Sequence, residues 1–314
     1  MVCLALRRKL GLAFDPDDPN SNHLNELSWR RHNRSCLWLI YKKLRLITVE
    51  PMAFLFSTAL MMCNIVQQNL FQYKHCHYGL NYTDDICMNL KNYTDIRTEV
   101  FKRTSTLNYQ REMVDHTIPI VFALFLGAWS DKYGRKGPML LGVAGNILNS
   151  AGLLINSVFI KWKPEMVLLT AVPTSLLGGH LPFLMSIYSY LTDITTINSR
   201  SFRMSVLSTI YYLGYSAGSY LAAVLMDNYG FIEVFGASTL ISIVAFLYCV
   251  VRIKESRVGE KHYVKGWYYD ICDWQLLKHN FTTVFKRRAF NARLLLMLSV
   301  IIMIITTTAL NGKF

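Results

Sequence analysis

Long apolar blocks alternate with polar segments along the chain. An α-helix needs about 20 mostly apolar residues to cross roughly 30 Å of hydrocarbon, and lipid offers no outside partner for backbone polar groups. Each apolar block is therefore expected to be one membrane-spanning helix. The pattern predicts an all-α membrane protein with seven blocks, at 51–71, 114–131, 139–160, 166–190, 205–226, 231–251 and 292–311.

The polar segments divide the chain into four predicted parts. The first part lacks the apolar stretch of a cleaved signal peptide, so we expect it to remain as a cytosolic tail. The six-span region contains one long loop, at 72–113, on the predicted external side. The parts are the tail at 1–48, the six-span region at 49–251, a basic cytosolic central loop at 252–291 and the seventh span at 292–314.

Basic residues follow the predicted threading of the chain. The composition is 52% hydrophobic with a mean hydropathy of +0.25, and the formal net charge is +13. The predicted cytosolic segments hold 24 of the Lys and Arg residues, and the predicted external segments hold 8. Cytosolic loops of membrane proteins carry such an excess. The positive charge therefore indicates membrane orientation, and we expect no nucleic-acid partner.

Two glycosylation sequons lie in the 72–113 loop. Asn81 and Asn92 each begin an Asn-Tyr-Thr triplet, which is an acceptor for N-glycans in an exported segment. We therefore predict glycans on both. The sequons at Asn33 and Asn280 fall on the predicted cytosolic side and should remain unmodified.

The same external loop contains Cys76 and Cys87. An exported compartment permits disulfides. The two cysteines either form a bridge or remain free thiols, and the sequence leaves both alternatives open.

The turn after the second block carries the most specific motif in the chain. Residues 127–136 fit the pattern G-x-x-x-D-[RK]-x-G-R-[RK] at every defined position. Glycine permits close helix approach and a tight reversal, whereas an acid near the bilayer is costly unless it is paired. The defined positions are Gly127, Asp131, Lys132, Gly134, Arg135 and Lys136.

This motif resembles the signature of the major facilitator superfamily, which lies between the second and third helices. The resemblance implies a transporter of two six-helix halves that works by alternating access. It also implies a cytosolic latch, in which the motif's Arg pairs with an acid at the end of the fourth helix. Asp193 occupies that place, so we expect a latch of Asp131, Arg135 and Asp193. A mere topology determinant is the alternative.

On this resemblance, the chain supplies the amino-terminal six-helix bundle and a seventh span, and the carboxy half is expected to be missing. The chain ends as the seventh block finishes. A truncated half-transporter without transport activity is therefore an alternative to an active transporter.

A longer succession is similar to solute carrier family 46, which includes the proton-coupled folate transporter and thymic stromal cotransporter-like proteins. The resemblance adds Arg200 and Arg203 to the gating residues and implies proton-coupled uptake. One departure is Ser208, which stands where the folate transporter has a proton-coupling Glu, so folate transport does not follow from the resemblance. The matching runs are the motif above, Gly178-Gly179-His180, Tyr190-Leu-Thr-Asp193 and Arg200-Ser-Phe-Arg203-Met.

Polar residues inside the spans predict the solute pathway, because lipid-facing polar groups are costly. They recur at helical spacing on the first, third and fifth blocks, and a histidine lies near the middle of the fourth. That histidine can carry a proton near neutral pH or act as a neutral hydrogen-bonding group. Hydrogen bonding between helices is the alternative for the others. The candidates are Asn64, Gln68, Asn149, His180, Ser208, Tyr212 and Tyr215.

The predicted partners are a small organic solute, protons and the lipid bilayer, with no cofactor and no metal ion. The family resemblance permits a folate, another organic anion or a peptide-like solute. The interiors of the first six predicted spans contain no Lys or Arg to bind an anion. The predicted location is the plasma membrane or an endolysosomal membrane, and the oligomeric state is open.

Two other classes fit the sequence less well. A seven-helix receptor requires an external amino terminus, which puts the 9 basic residues of the tail on the wrong side. An intramembrane enzyme is disfavoured because the sequence has no H-E-x-x-H motif, no G-x-S-x-G motif and no metal-ligand cluster.

Overall fold

The computed structural model describes residues 48–256 and, beyond them, only the isolated positions 294, 298 and 302. The chain divides into two compact units, Met1–Pro51 and Met52–Phe314. The described residues therefore leave out nearly all of the predicted tail, most of the central loop and most of the seventh predicted span.

The regular structure of residues 48–256 is helical. It covers every apolar block predicted in this part of the chain. The α-helices are α1 (Glu50–Lys74), α2 (Asp84–Met88), α3 (Thr94–Tyr133), α4 (Lys136–Val158), α5 (Leu168–Leu176), α6 (His180–Ile194), α7 (Ile197–Asn228) and α8 (Phe231–Arg252).

Three helical segments of the described part are long and apolar enough to cross a membrane. They are Lys136–Val158, Pro164–Ile194 and Phe231–Arg252. α3 provides a fourth candidate if its two parts, which meet at a bend of 45°, count as one span. Helices α1 and α7 cover two further predicted spans, but their many polar residues keep them out of this group. The fold thus supports three or four spans before residue 256, where the sequence predicts six.

The first turn of α1 is stabilised by its own acid. The Glu50 carboxylate accepts hydrogen bonds from the backbone N–H groups of Thr48 at 2.8 Å and Val49 at 3.0 Å. A carboxylate is favoured at a helix N-terminus, where N–H groups lack partners inside the helix.

The segment predicted as an external loop, 72–113, contains regular structure. A π-helical turn at His75–Gly79, α2 and a 3-10 turn at Leu90–Asn92 precede α3. A disulfide joins Cys76 to Cys87, with Cα atoms 5.9 Å apart. Cys76 also packs with buried Leu90 and Val100 in a small apolar cluster.

Helix α3 begins at Thr94, well before the predicted start of the second span near residue 114. It bends by 45° between Ile120 and Phe125. Pro119 lies at this bend, and proline kinks a helix because it lacks an N–H and its ring clashes with the preceding turn. The turns of α3 before the bend therefore extend the second helix into the predicted loop.

Helix α4 lies at the centre of the bundle and packs against α5, α6 and α8. Gly142 permits the close contact with α6, because a Cβ at this position would lie 2.7 Å from the Cβ of Phe183. The Phe183 ring in turn stacks on Phe56 of α1, with ring centroids 3.9 Å apart.

Two glycines on α7 allow α1 to pack closely against it. A Cβ at Gly214 would collide with the Ser57 hydroxyl, and one at Gly218 would collide with the Thr58 carbonyl oxygen. Their spacing of four residues places both on one helical face. Small residues at such spacing let helix backbones approach in membranes.

The fourth predicted span is broken into two helices. α5 ends at Leu176 and α6 begins at His180, and Gly178 and Gly179 between them have φ angles of +87° and +62°. Glycine adopts positive φ without the steric cost that a side chain imposes. The break leaves the N-terminus of α6 inside the bundle.

Candidate functional site

The turn between α3 and α4 brings together acids from two helices around one arginine. The buried guanidinium of Arg135 donates from Nη2 to Asp131 on α3 and from Nε to Asp193 on α6, the latter at 3.2 Å. Its Nη1 donates to the Ser130 hydroxyl at 3.1 Å. The structure therefore places the three predicted latch residues in direct contact.

Glu255, which the sequence analysis did not include, completes this group. Its carboxylate accepts hydrogen bonds from the backbone N–H groups of Arg135 at 2.7 Å and Lys136 at 3.2 Å. These N–H groups lie at the N-terminus of α4. They lack partners inside the helix there, and the helix dipole favours negative charge. We call Asp131, Arg135, Asp193 and Glu255 the Arg135 cluster.

Gly134 is required by the same contact. Its φ of +120° is a conformation that residues with a Cβ rarely adopt, and a Cβ there would collide with the Glu255 carboxylate. Two further hydrogen bonds connect this region. Lys136 Nζ donates to the carbonyl of Val250 in the last turns of α8 at 2.7 Å, and the hydroxyl of Ser256, after α8, donates to Asp193 at 3.3 Å. The Arg135 cluster thus joins α3, α4, α6 and the end of α8.

The other predicted gating residues lie near this cluster. Gly127 lets α3 approach α6, because a Cβ there would lie 3.2 Å from the Met185 methyl group. Lys132 is in the last turn of α3. Arg200 donates from Nη2 to the Thr192 carbonyl at 3.2 Å and so connects α7 to the end of α6. Half-buried Arg203 follows on α7.

A cavity of about 150 Å³ lies among α1, α3, α4, α5, α6 and α7. Four of the seven predicted pathway residues line it, one from each of α1, α4, α6 and α7, and α3 contributes four charged or titratable residues. The predicted ones are Asn64, Asn149, His180 and Tyr215, and the α3 residues are Arg111, Glu112, Asp115 and His116.

The remaining pathway candidates lie away from the lining of this cavity. Gln68 and Tyr212 are exposed, on α1 and α7 respectively. Ser208 shares a hydrogen bond of 2.8 Å with the hydroxyl of Tyr188, so it connects α7 to α6. This contact is the interhelical hydrogen bonding that the sequence left open as an alternative.

Arg111 corrects the expectation that the bundle interior contains no basic residue. The sequence analysis assigned it to the 72–113 loop, but α3 begins at Thr94 and carries Arg111 into the bundle, where its side chain is 4% exposed. Its Nε lies 3.2 Å from the Asp115 carboxylate, and its Nη2 donates to Asn149 at 2.6 Å. Nη1 donates to the Thr170 hydroxyl at 3.0 Å.

The two predicted glycosylation residues are both exposed. Asn81 follows the π-helical turn, and Asn92 ends the 3-10 turn before α3. Each side chain is therefore open to modification, whereas Asn33 and Asn280 lie outside the described residues.

Apolar helices long enough to cross a membrane, a polar cavity among the helices and a charged cluster where α3 turns into α4 define a multi-pass helical membrane protein. The chain belongs to the Major Facilitator Superfamily, whose sequence pattern matches residues 117–312. The predicted superfamily is therefore confirmed.

The relatives include members of solute carrier family 46, as predicted. The chain is similar to the probable peptidoglycan muropeptide transporter SLC46 of Drosophila melanogaster, with 24% identity over 87% of this chain and 54% of the relative. It is also similar to the proton-coupled folate transporters of Bos taurus and Rattus norvegicus, with 25% and 26% identity over 66% of this chain and 46% of each relative. The chain spans about half the length of the curated relatives it matches. These relatives are transporters, in agreement with the prediction of a transporter rather than an enzyme.

Proposed function

We propose that the chain forms part of a solute transporter that works by alternating access, with the Arg135 cluster as its cytosolic gate. The observation that carries this proposal is the buried Arg135 guanidinium, which contacts Asp131 on α3 and Asp193 on α6 together. In this proposal, opening of the cytosolic end separates α3 from α6 and so breaks at least one of these contacts.

The strength of the cluster suits a gate. A hydrogen bond to a charged group contributes about 1.5–3 kcal/mol. A few such bonds bias two conformations by a few kcal/mol, which a bound solute or proton can reverse. The cluster would therefore keep the closed form dominant without locking it.

We further propose that uptake of a small organic solute is coupled to protons. Two imidazole side chains support this, because His116 and His180 both line the cavity with their rings 6.1 Å apart. The names of the relatives make folates and muropeptides the first solutes to test. Orientation, glycans on Asn81 and Asn92, and location at the plasma membrane or endolysosome belong to the same proposal.

The gate is tested by Asp131→Asn and Asp193→Asn, which keep the size of each side chain and remove its charge. Labelled folic acid and a muramyl dipeptide are supplied to cells at acidic and neutral external pH, and uptake is divided by surface expression. We expect uptake by each variant to fall about tenfold or more, because the buried arginine has one carboxylate partner fewer.

The matched control is Asp227→Asn, which removes an exposed acid at the far end of α7 and should leave uptake unchanged. Normal uptake by Asp131→Asn or Asp193→Asn at normal surface level would show that the Arg135 cluster is not the gate.

A further inference from the structure

A second buried arginine lies in this bundle, away from the proposed gate. Arg111 lines the cavity together with Asn64, Asn149 and His180, and these side chains come from α3, α1, α4 and α6. A guanidinium is a planar fork of five N–H donors that matches a carboxylate or phosphate. At the cavity wall, Arg111 is therefore placed where such an anionic group could reach it.

Polar side chains from neighbouring helices hold the Arg111 guanidinium in place. Neutral groups fix the fork from one side, because Nη2 donates to Asn149 and Nη1 donates to Thr170. Its carboxylate partner Asp115 is less buried than Arg111, with 24% of the side chain exposed against 4%. Asp115 has an alternative partner in the Ser175 hydroxyl, which donates to it at 3.1 Å. Asp115 is therefore the partner that can exchange.

Stability alone does not account for such a pair. A buried ion pair contributes little to stability, because desolvation of both charges offsets their attraction, and an apolar pair of similar volume is often as stable. Charged groups within membrane helices line pathways or pair in the interior. Arg111 does both, which favours a functional role.

The charge of the cavity sets a condition on any anion. Among the described residues, the charged and titratable groups that line the cavity besides Arg111 and Asp115 are Glu112 and His116 on α3, His180 on α6 and Tyr215 on α7. The buried Cys63 thiol of α1 lies close enough to Arg111 to interact with its charge. Neighbouring α4 and α5 add the uncharged Asn149 and Ser175. With both carboxylates ionised and both histidines neutral, negative charge exceeds positive charge. A proton on Asp115 balances the charges and leaves the Arg111 guanidinium without its carboxylate partner.

We propose that Arg111 binds a carboxylate of the transported solute in exchange for Asp115, and that protonation of Asp115 permits the exchange. This inference rests on the proposed transport function and deepens it, because it names a specificity-determining residue and the chemical group that it recognises. The proton that Asp115 takes up would thereby accompany the anion.

Asn146 adds a second requirement for the solute. It lines the same cavity, is 3% exposed and donates from Nδ2 to the Ser242 hydroxyl at 2.9 Å. Within the described part of the chain, its Oδ1 accepts no hydrogen bond. A buried carbonyl oxygen without a donor is costly. Asn146 lies one helical turn from Asn149, so the preferred solute carries an N–H or O–H donor close to its carboxylate.

The test compares each acid with its neutral ester. The whole chain is reconstituted in lipid nanodiscs, and dissociation constants are measured at acidic and neutral pH for a muramyl dipeptide, folic acid and their methyl esters. The ratio of ester to acid dissociation constants isolates recognition of the carboxylate, because misfolding weakens both ligands alike. Thermal unfolding of every variant is measured in parallel.

We expect the wild-type chain at acidic pH to bind at least one acid about tenfold or more tightly than its ester. Arg111→Gln should bring the ratio to about one, and Arg111→Lys should retain part of it because the charge remains. Asp115→Asn should bind the acid at neutral pH as the wild type does at acidic pH. Arg103→Gln, on an exposed part of the same helix, should leave the ratio unchanged.

Three results would overturn the inference. They are an undiminished ratio in Arg111→Gln, a ratio near one in the wild type, and no binding of either acid. If Arg111→Gln unfolds, Arg111→Lys and Asp115→Asn decide the question by the same ratio. Uptake by cells is measured separately. If the acid binds selectively but is not taken up, the transport function is contradicted and the anion site stands. If the solute is taken up but Arg111→Gln keeps an undiminished ratio, the anion site is contradicted and the transport function stands.

Discussion

Arg135 uses its side chain and its backbone for different contacts. The guanidinium contacts Asp131 and Asp193, while the backbone N–H donates to Glu255. The side chain therefore connects helices, and the backbone fixes where α4 begins. Both functions depend on the sharp reversal at Gly134, whose φ is +120°.

Gly134 offers a test of the Glu255 contact. Gly134→Ala introduces both an unfavourable φ and a collision with the Glu255 carboxylate, whereas Gly230→Ala introduces only the unfavourable φ of +100°, because nothing lies within 4 Å of a Cβ there. We expect Gly134→Ala to destabilise the chain by about 1–3 kcal/mol more than Gly230→Ala. Thermal unfolding in detergent measures the difference, and equal losses would contradict a close Glu255 contact.

A sequence motif could predict some of these residue contacts but not others. The family resemblance, carried by the motif that contains Asp131 and Arg135, was sufficient to predict that these two residues meet Asp193. Glu255 and Arg111 were missed for two separate reasons. Glu255 meets α4 only through the packing of α8, which no local pattern reports. Arg111 was assigned to a loop because the second helix was given too late a start, although an Arg and an Asp four residues apart can pair along one helix.

At the scale of elements, α1 and α7 pack through backbone contact rather than through large side chains. A Cβ on Gly218 would collide with the Thr58 carbonyl and lie 3.1 Å from the Cβ of Met61. Lipid does not drive helices together through hydrophobic burial, so close packing of small residues carries the association.

Gly218→Ala is expected to weaken this helix pair. The added methyl group must displace α1, and overpacking typically costs about 1–3 kcal/mol. Gly236→Ala on α8 is the matched control, because nothing lies within 4 Å of its Cβ and alanine favours a helix. The midpoint temperature of thermal unfolding should fall for Gly218→Ala and should stay level or rise for Gly236→Ala. A loss of similar size in both would contradict the packing described here.

The sequence predicted the existence of these helices better than their limits. Apolar blocks identified the long apolar helices between residues 51 and 251, because apolar content is a property of a local window, but they did not indicate α2 or the polar first part of α3. The break at Gly178 and Gly179 lies inside one apolar block, where hydropathy does not change, and so it was not predicted. The polar residues of α1 and α7 also lower their apolar content below that of α4 and α8, which is why the structure supports fewer spans than the blocks suggest.

At the scale of the whole molecule, two charged groups lie at different places in one bundle. The Arg135 cluster lies where α3 turns into α4, and the Arg111 site lies in the cavity among the helices. A gate and a solute site need this separation, because the solute must reach its site while the gate is closed. The proposal requires that the α3–α4 turn face the cytosol and that the Cys76–Cys87 region lie outside.

Glycan mapping tests this threading most directly. The wild-type chain and variants with Asn→Gln at Asn33, Asn81, Asn92 and Asn280 are expressed in glycosylating cells, and their mobility is compared before and after enzymatic removal of N-glycans. We expect glycan to be lost only with changes at Asn81 and Asn92. Glycan on Asn33 or Asn280 would put the Arg135 cluster on the opposite side of the membrane and contradict the proposed cytosolic gate.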